Sequence, residues 1–216
     1  MGYNSFYNKS VKRWIGVFLA VILILILWPF YFIIAAAVAI EDGFPVFYRP
    51  YRGGYGGKPF RIFKFRSMVK NADKIGGGTT ALNDPRITKV GNFLRKTKLD
   101  ETPQLFNIIA GSMSFIGPRP ELLRYVEKYE GEEELIMQVR PGITDFSSVE
   151  FINLDEVVGS GNADEMYEKY VLERKNKLRI KYAKEVSFTT DCNLFFGTVW
   201  RVIEKAFGFM FLNKHK

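Results

Sequence analysis

Residues 14–40 run for 27 positions without a charged side chain. No other feature of the 216-residue chain restricts its fold so strongly. At ~1.5 Å per residue a straight helix of that length reaches ~40 Å, against a hydrocarbon core of ~30 Å, so it is long enough to cross a bilayer. Pro29 sits near the middle, where it removes a backbone donor and crowds the preceding turn. Divided there, the stretch gives parts of 15 and, counting the proline, 12 residues, each too short for a crossing. Both flanks are basic. Lys9, Lys12 and Arg13 precede the stretch, and residues 43–72 hold seven Lys or Arg and no acid. Basic flanks favour the cytoplasmic side. A hairpin that enters and leaves by one face satisfies both; a single kinked span satisfies one. Glu41 and Asp42 oppose this only mildly. A signal peptide has a shorter apolar region of ~7–15 residues, although the Ala35-Ala36-Ala37 run suits one. Hairpin and span both stay open on these grounds.

Composition narrows the chemistry. The formal charge is +8 and aromatic residues make up 16%, with 20 Phe. That balance suits an anionic membrane surface, where amphipathic rings sit at headgroup level. No nucleic-acid motif is present. The one cysteine, Cys192, allows no internal disulfide. The one histidine, His215, lies at the extreme C-terminus. A Ser-His-Asp triad, a Cys-His pair and a His-based zinc site are therefore excluded. An enzyme built from this chain works with carboxylates, Lys, Arg, Tyr and a metal.

Beyond residue 43 the pattern changes. Residues 60–66 nearly alternate apolar and basic side chains and, with the apolar residues 46–48, read as short strands around the Gly-rich turn 53–59. That turn is not a phosphate-binding Walker loop, because its spacing is one short and Pro59 follows the lysine. Residues 70–84 read as a mobile loop and 84–88 as a turn. Residues 90–99 form an amphipathic basic helix. Residues 121–134 read as a charged helix running into an acidic loop. Residues 140–144 read as a turn and 155–163 as a loop. Residues 167–185 read as a mostly solvated helix. Residues 194–212, with Phe195, Phe196, Trp200, Phe207, Phe209, Met210 and Phe211, read as an interfacial helix.

Two adjacent carboxylates, Asp100 and Glu101, open a further helix, and Pro103 marks its start, where a missing donor does no harm. A helix N-terminus stabilises carboxylates by about 0.3–1 kcal/mol and also attracts phosphate. An ionised Asp beside a metal is a competent nucleophile toward phosphorus. Arg119, between Pro118 and Pro120, is suited to clamp phosphate oxygens. Acids in a first helical turn are also routine caps, so these residues alone leave decoration and catalysis both open.

The motifs taken together resemble the bacterial sugar transferases, small monotopic polyprenyl-phosphate phosphoglycosyl transferases. The resemblance runs from about Lys12 to about Lys205. It rests on Lys12-Arg13, the stretch broken by Pro29, Pro45-Val46-Phe47-Tyr48, Phe63-Lys64-Phe65-Arg66-Ser67-Met68 and Asp84-Pro85-Arg86-Ile87-Thr88. It continues through residues 99–107, Met113 to Glu121, and Arg140-Pro141-Gly142-Ile143-Thr144. The family transfers a sugar-1-phosphate from a UDP-sugar to a polyprenyl phosphate, undecaprenyl phosphate being the expected carrier. It releases UMP and uses Mg²⁺. The resemblance implies Asp100 as nucleophile, Glu101 as its partner in metal or proton handling, and both as metal ligands. It implies Arg119 as a phosphate holder. Lys64, Arg66, Arg86, Arg95, Gln104 and Arg140 complete the expected substrate- and phosphate-binding set.

It also implies a re-entrant hairpin for the broken apolar helix. The expected fold is therefore α+β and mostly helical, with a re-entrant membrane helix hairpin, interfacial amphipathic helices and a small β-hairpin or sheet. Residues 1–42 form the membrane-associated part and 43–216 a cytoplasmic membrane-interface catalytic domain. The expected location is the bacterial inner membrane, catalytic domain on the cytoplasmic face. The expected role is the first membrane step of capsule, exopolysaccharide, O-antigen or glycoprotein assembly. Three positions depart from the family pattern. Gly16 replaces an acid and Trp28 replaces a serine. Asp145 replaces a glycine in a region expected near the nucleotide-sugar, where it would mark a subgroup with another sugar. The alternative is a non-enzymatic membrane-anchored scaffold with a basic lipid-binding face, in which losing Asp100 or Glu101 costs only a cap, about 0.5–2 kcal/mol.

Overall fold

The structure, a computed structural model, describes the backbone of residues 2–212 and the side chains of residues 2–204. Lys205, Phe207, Phe209, Met210 and Phe211 of the aromatic C-terminal stretch, and His215, lie outside the described side chains. A π-helical turn, Tyr7–Val11, leads into α1, Lys12–Asp42. Then follow β1 (Phe47–Tyr48), β2 (Tyr51–Gly53), β3 (Pro59–Arg61), β4 (Lys64–Phe65), α2 (Ala72–Ile75) and α3 (Lys89–Thr97). A 3₁₀ turn, Leu99–Glu101, precedes α4 (Gln104–Ala110), β5 (Ser114–Ile116) and α5 (Leu123–Val126). A 3₁₀ segment, Gly131–Gln138, leads to β6 (Gly142–Thr144), α6 (Phe146–Glu150) and α7 (Leu154–Val158). The described residues close with α8 (Ala163–Tyr170), α9 (Leu172–Glu185) and α10 (Phe188–Leu212). The fold is thus mostly helical with small sheets.

The apolar stretch forms one 31-residue helix that continues through Pro29 without a turn. Among the described residues it is the one helix long and apolar enough to cross a membrane. Yet α1 does not stand free. Lys12, Gly16, Ala20 and Val38 are buried along one stripe, and Leu23, Ile24, Leu27, Tyr31, Ile34 and Ala35 pack beside them. Spacings of three and four residues keep such positions on one helical face. The body supplies Leu105, Ile108, Met113 and Ile62 under the first half, and Phe65 and Leu94 under the second. The opposite face exposes Trp14, Phe18, Leu25, Trp28, Phe32 and Ile33. An apolar face of that extent marks a membrane or partner surface.

Both ends of α1 are tied to the same body. Lys12 pairs with Asp191 of α10 at 2.8 Å and also donates to the Tyr182 hydroxyl of α9. Arg13 donates to the carbonyls of Ile108 and Ile109 at the end of α4. At the other end Glu41 accepts from the amides of Lys89 and Val90 at 2.7 and 2.9 Å, so one helix caps the N-terminus of another. Asp42 pairs with Arg66 at 3.0 Å.

Among the described residues the strands form three two-stranded sheets. β1 and β4 pair antiparallel (Phe47↔Phe65), as do β2 and β3 (Arg52↔Phe60), so the expected hairpin is present. β5 and β6 pair in parallel (Ser114↔Gly142, Ile116↔Thr144). Residues 142–144 are therefore a strand, not only a turn. Two glycines allow the close approach there: a Cβ on Gly117 would strike the Arg140 carbonyl, and one on Gly142 the Gly117 backbone.

Other segments also differ from expectation. Leu154–Val158 is helical where a loop was expected, because Val158 buries with Tyr125 and Tyr167. The charged helix after residue 121 is only α5, and Gly131 (φ 57) turns the chain before the 3₁₀ segment. Residues 76–83 are fastened rather than loose: Asp164 accepts from the amides of Gly78 and Thr79, and Arg86 donates to the Gly77 carbonyl. The stretch 167–185 divides at Val171, and α9 buries Lys175, Asn176, Arg179 and Tyr182. Polar groups tolerate that burial when paired. Arg179 donates to Glu121 at 2.9 Å and to Asn176 at 3.0 Å.

Candidate active site

α3 ends at Lys98, whose left-handed conformation (φ 60) swings the chain directly into the 3₁₀ turn holding Asp100 and Glu101. Pro103 then leads into α4, which Gly111 (φ 87) closes. Adjacent helical side chains diverge by roughly 100°, so the two carboxylates cannot share one environment.

Glu101 meets cations from two other segments. Lys64 of β4 donates to its Oε1 at 2.9 Å. Arg119 donates to both oxygens, 3.0 Å from Nη1 to Oε2 and also from Nη2 to Oε1. Burial alone would raise the Glu101 pKa, but Arg119 and Lys64 outweigh it and hold the carboxyl well below its usual range. Asp100 is 5% exposed, and its Oδ1 is buried with no hydrogen-bond partner. Burial, reinforced by the Glu101 charge, pushes its carboxyl up. Gln104 lies four residues on, on the same helical face, fully buried, with neither amide atom partnered. Buried polar groups are ordinarily satisfied, so unpartnered ones mark a place awaiting a ligand or solvent.

Among the described residues no three carboxylate, His or Cys side chains gather around a metal position. Mg²⁺ often needs only one or two carboxylates, completing its shell with substrate phosphates and water. The open Asp100 Oδ1 and the Gln104 amide oxygen suit that mode. Both Glu101 oxygens are already engaged.

Of the residues singled out in the sequence, the structure brings Asp100, Glu101, Lys64 and Arg119 together, with Gln104 alongside. Arg95 acts on Asp100 through its charge. Arg66, Arg86 and Arg140 make no hydrogen bond or ion pair with the carboxylate pair. Arg66 donates to the carbonyls of Asp42, Gly43 and Pro45. Arg86 grips Asp84 with two nitrogens at 2.9 and 2.7 Å. Arg140 lies over the Tyr55 ring at 5.4 Å. Asp145 is fully buried and faces Ser147, Ser148 and the Arg119 amide rather than an open site. Sequence reasoning missed Lys175, which is 6% exposed between the rings of Phe151 and Tyr167 at 5.7 and 5.0 Å. One lysine among the many in α9 carries no signal that it points inward.

The geometry is thus an apolar helix laid on a body that holds a carboxylate pair, with one carboxylate of the pair clamped by an arginine and a lysine. The chain belongs to the bacterial sugar transferase family, whose profile matches residues 7–205. It is 37% identical over 198 residues to the UDP-glucose:undecaprenyl-phosphate glucose-1-phosphate transferase of Escherichia coli, covering 90% of this chain and 40% of that protein. It is 39% identical over 142 residues to an Aeromonas hydrophila UDP-N-acetylgalactosamine-undecaprenyl-phosphate N-acetylgalactosaminephosphotransferase, covering 64% of this chain and 34% of that one. The exopolysaccharide production protein ExoY of Sinorhizobium fredii is 36% identical over 148 residues, 62% of this chain and 66% of ExoY. The chain thus spans less than half the length of the first two relatives.

Proposed function

We propose that the protein is a membrane-bound phosphoglycosyl transferase that moves a sugar-1-phosphate from a UDP-sugar to undecaprenyl phosphate and releases UMP, beginning the membrane stage of glycan assembly. The named activities of its relatives support the substrate classes. The observation that carries the chemistry is the asymmetry of the pair: Glu101 is locked between Lys64 and Arg119, while Asp100 keeps a buried oxygen free.

In the first step an Asp100 carboxylate oxygen attacks the sugar-bearing phosphorus. The bond from that phosphorus to the bridging oxygen breaks, and its electron pair leaves on UMP. An aspartyl phosphosugar remains. In the second step an oxygen of the polyprenyl phosphate attacks the same phosphorus. The acyl-phosphate bond breaks and the Asp100 carboxylate is restored. Glu101 orients Arg119, and the guanidinium and Lys64 stabilise charge on the transferring oxygens. A Mg²⁺ held by Asp100 and the substrate phosphates would neutralise charge on the diphosphate.

The apolar helix is read as re-entrant in the sense that both ends stay on the cytoplasmic face; being unbroken, it enters the near leaflet along its exposed side rather than turning back as a hairpin. Its support is that Lys12 and Arg13 at one end and Glu41 and Asp42 at the other hold the same body. UMP release tests the activity. Wild type with UDP-sugar, undecaprenyl phosphate and Mg²⁺ releases UMP, and Asp100→Asn does not; equal release by the variant contradicts the assignment.

A further inference from the structure

Pro118 and Pro120 have no N–H, so Arg119 holds the only main-chain donor of the tripeptide 118–120. That donor goes to Asp145 Oδ2 at 3.3 Å. At the far end of the same residue, Nη1 donates to the Ile143 carbonyl at 3.1 Å as well as to Glu101. Residues 143–145 therefore grip Arg119 at both its backbone and its guanidinium. The parallel sheet sets this up: the Gly117 amide bonds the Thr144 carbonyl at 2.9 Å, and the Gly142 amide bonds the Pro118 carbonyl at 3.1 Å.

The same carboxylate caps α6. Asp145 Oδ1 accepts from the Ser148 amide and hydroxyl, both at 2.7 Å, and the Ser147 hydroxyl lies 2.8 and 2.9 Å from its two oxygens. Asp145 and Ser147 are fully buried, and Ser148 is partly buried beside them. A glycine at 145 offers the Arg119 amide no side-chain acceptor.

We propose that Asp145 is a positioning residue for Arg119, fixing the Pro118-Arg119-Pro120 turn so that the guanidinium meets Glu101 and the substrate phosphate. The kinetic part rests on the transferase reading above; the structural part does not.

Asp145→Asn separates the two roles. Asparagine caps helices about as well as aspartate. Its oxygen is claimed by the Ser148 donors, which leaves the amide NH₂ facing the Arg119 N–H, donor against donor. An unsatisfied buried donor of that kind is expected to lower kcat/KM for UMP release on the order of tenfold, and to lower the melting temperature as well. The loss is expected in kcat rather than in KM for the polyprenyl phosphate. Ser148→Ala lowers the melting temperature while kcat/KM stays at the wild-type level, so the kinetic loss is what distinguishes the two variants. In an Arg119→Lys background, Asp145→Asn adds no further loss, because it acts through a group already changed. Wild-type kinetics in Asp145→Asn, an equal loss in Ser148→Ala, or full additivity with Arg119→Lys would overturn the proposal. Modification of Arg119 by phenylglyoxal, mapped by peptide mass, gives an answer without turnover. Faster modification in Asp145→Asn than in wild type supports the positioning role, and equal rates overturn it. A wild type that releases no UMP would instead sink the transferase reading and leave this chemical readout to decide.

Discussion

Glu101 gives both carboxylate oxygens to cations, whereas the adjacent Asp100 keeps Oδ1 free inside the protein. Glu101→Gln strands Lys64 and Arg119 without their counter-charge. Breaking a largely buried ion pair from one side costs about 3 kcal/mol, so both stability and UMP release are expected to fall, by denaturant titration and by assay. Lys175 is the opposite case, a buried ammonium without a carboxylate on its nitrogen. Burial, with Arg179 and Arg119 adding to it against Glu121 and Asp145, lowers its pKa to about 7. Phe151 and Tyr167 supply the surrounding rings. In the unfolded chain a lysine titrates near ~10.4. Between these values the unfolded state binds the extra proton, so stability rises with pH by up to ~1.4 kcal/mol per unit. Lys175→Met is therefore expected to be more stable than wild type at pH 6, with the gap shrinking by pH 9. A gap that does not vary with pH contradicts this.

At the scale of elements, α1 is held by charge at its ends and by small or flat side chains between them. Glu41 joins it to α3, whose first turn also uses Thr88 as a cap accepting from the Gly91 amide at 2.9 Å. Glu41→Ala is expected to cost about 1 kcal/mol in thermal unfolding while UMP release well below the melting temperature is unchanged. The apolar stretch was legible from its missing charges, and so were the hairpin of residues 46–66, the basic helix α3 and the start of α4. The packing of α1 on the body was not. Beyond Lys12 its buried stripe, Gly16, Ala20 and Val38, is apolar like its exposed face, so no polarity contrast marks it. The β5–β6 pairing joins strands 28 positions apart, a contact that local propensity cannot register. The buried polar face of α9 was read as solvated because Lys175 and Arg179 look like the exposed lysines around them. In the site, the residue types were visible, but the division between a locked Glu101 and an open Asp100 depends on Lys64 and Arg119 arriving from distant segments.

Across the whole molecule, the two ends of α1 and the carboxylate pair belong to one body, which bears on how the protein meets a bilayer. Phe6 and Ile75 are 75% and 69% exposed, on either side of the apolar helix in sequence. In a Cys192→Ser background, cysteines at these two positions are expected to react with a membrane-impermeant thiol reagent in inverted vesicles and not in intact cells. Labelling of the Phe6→Cys site in intact cells contradicts the re-entrant arrangement and favours a span. On the proposed function, a nucleotide-sugar approaches from the cytoplasm, and the lipid phosphate from the membrane face beside α1. That both substrates meet at Asp100 is the central claim of the proposal. The most direct measurement is the intact mass of the protein after incubation with a panel of UDP-sugars and Mg²⁺ in the absence of polyprenyl phosphate. The account predicts a phosphosugar adduct on Asp100 in wild type, chased off by undecaprenyl phosphate and absent in Asp100→Asn. UMP release by wild type with no adduct at any time, or the same adduct in Asp100→Asn, would contradict it.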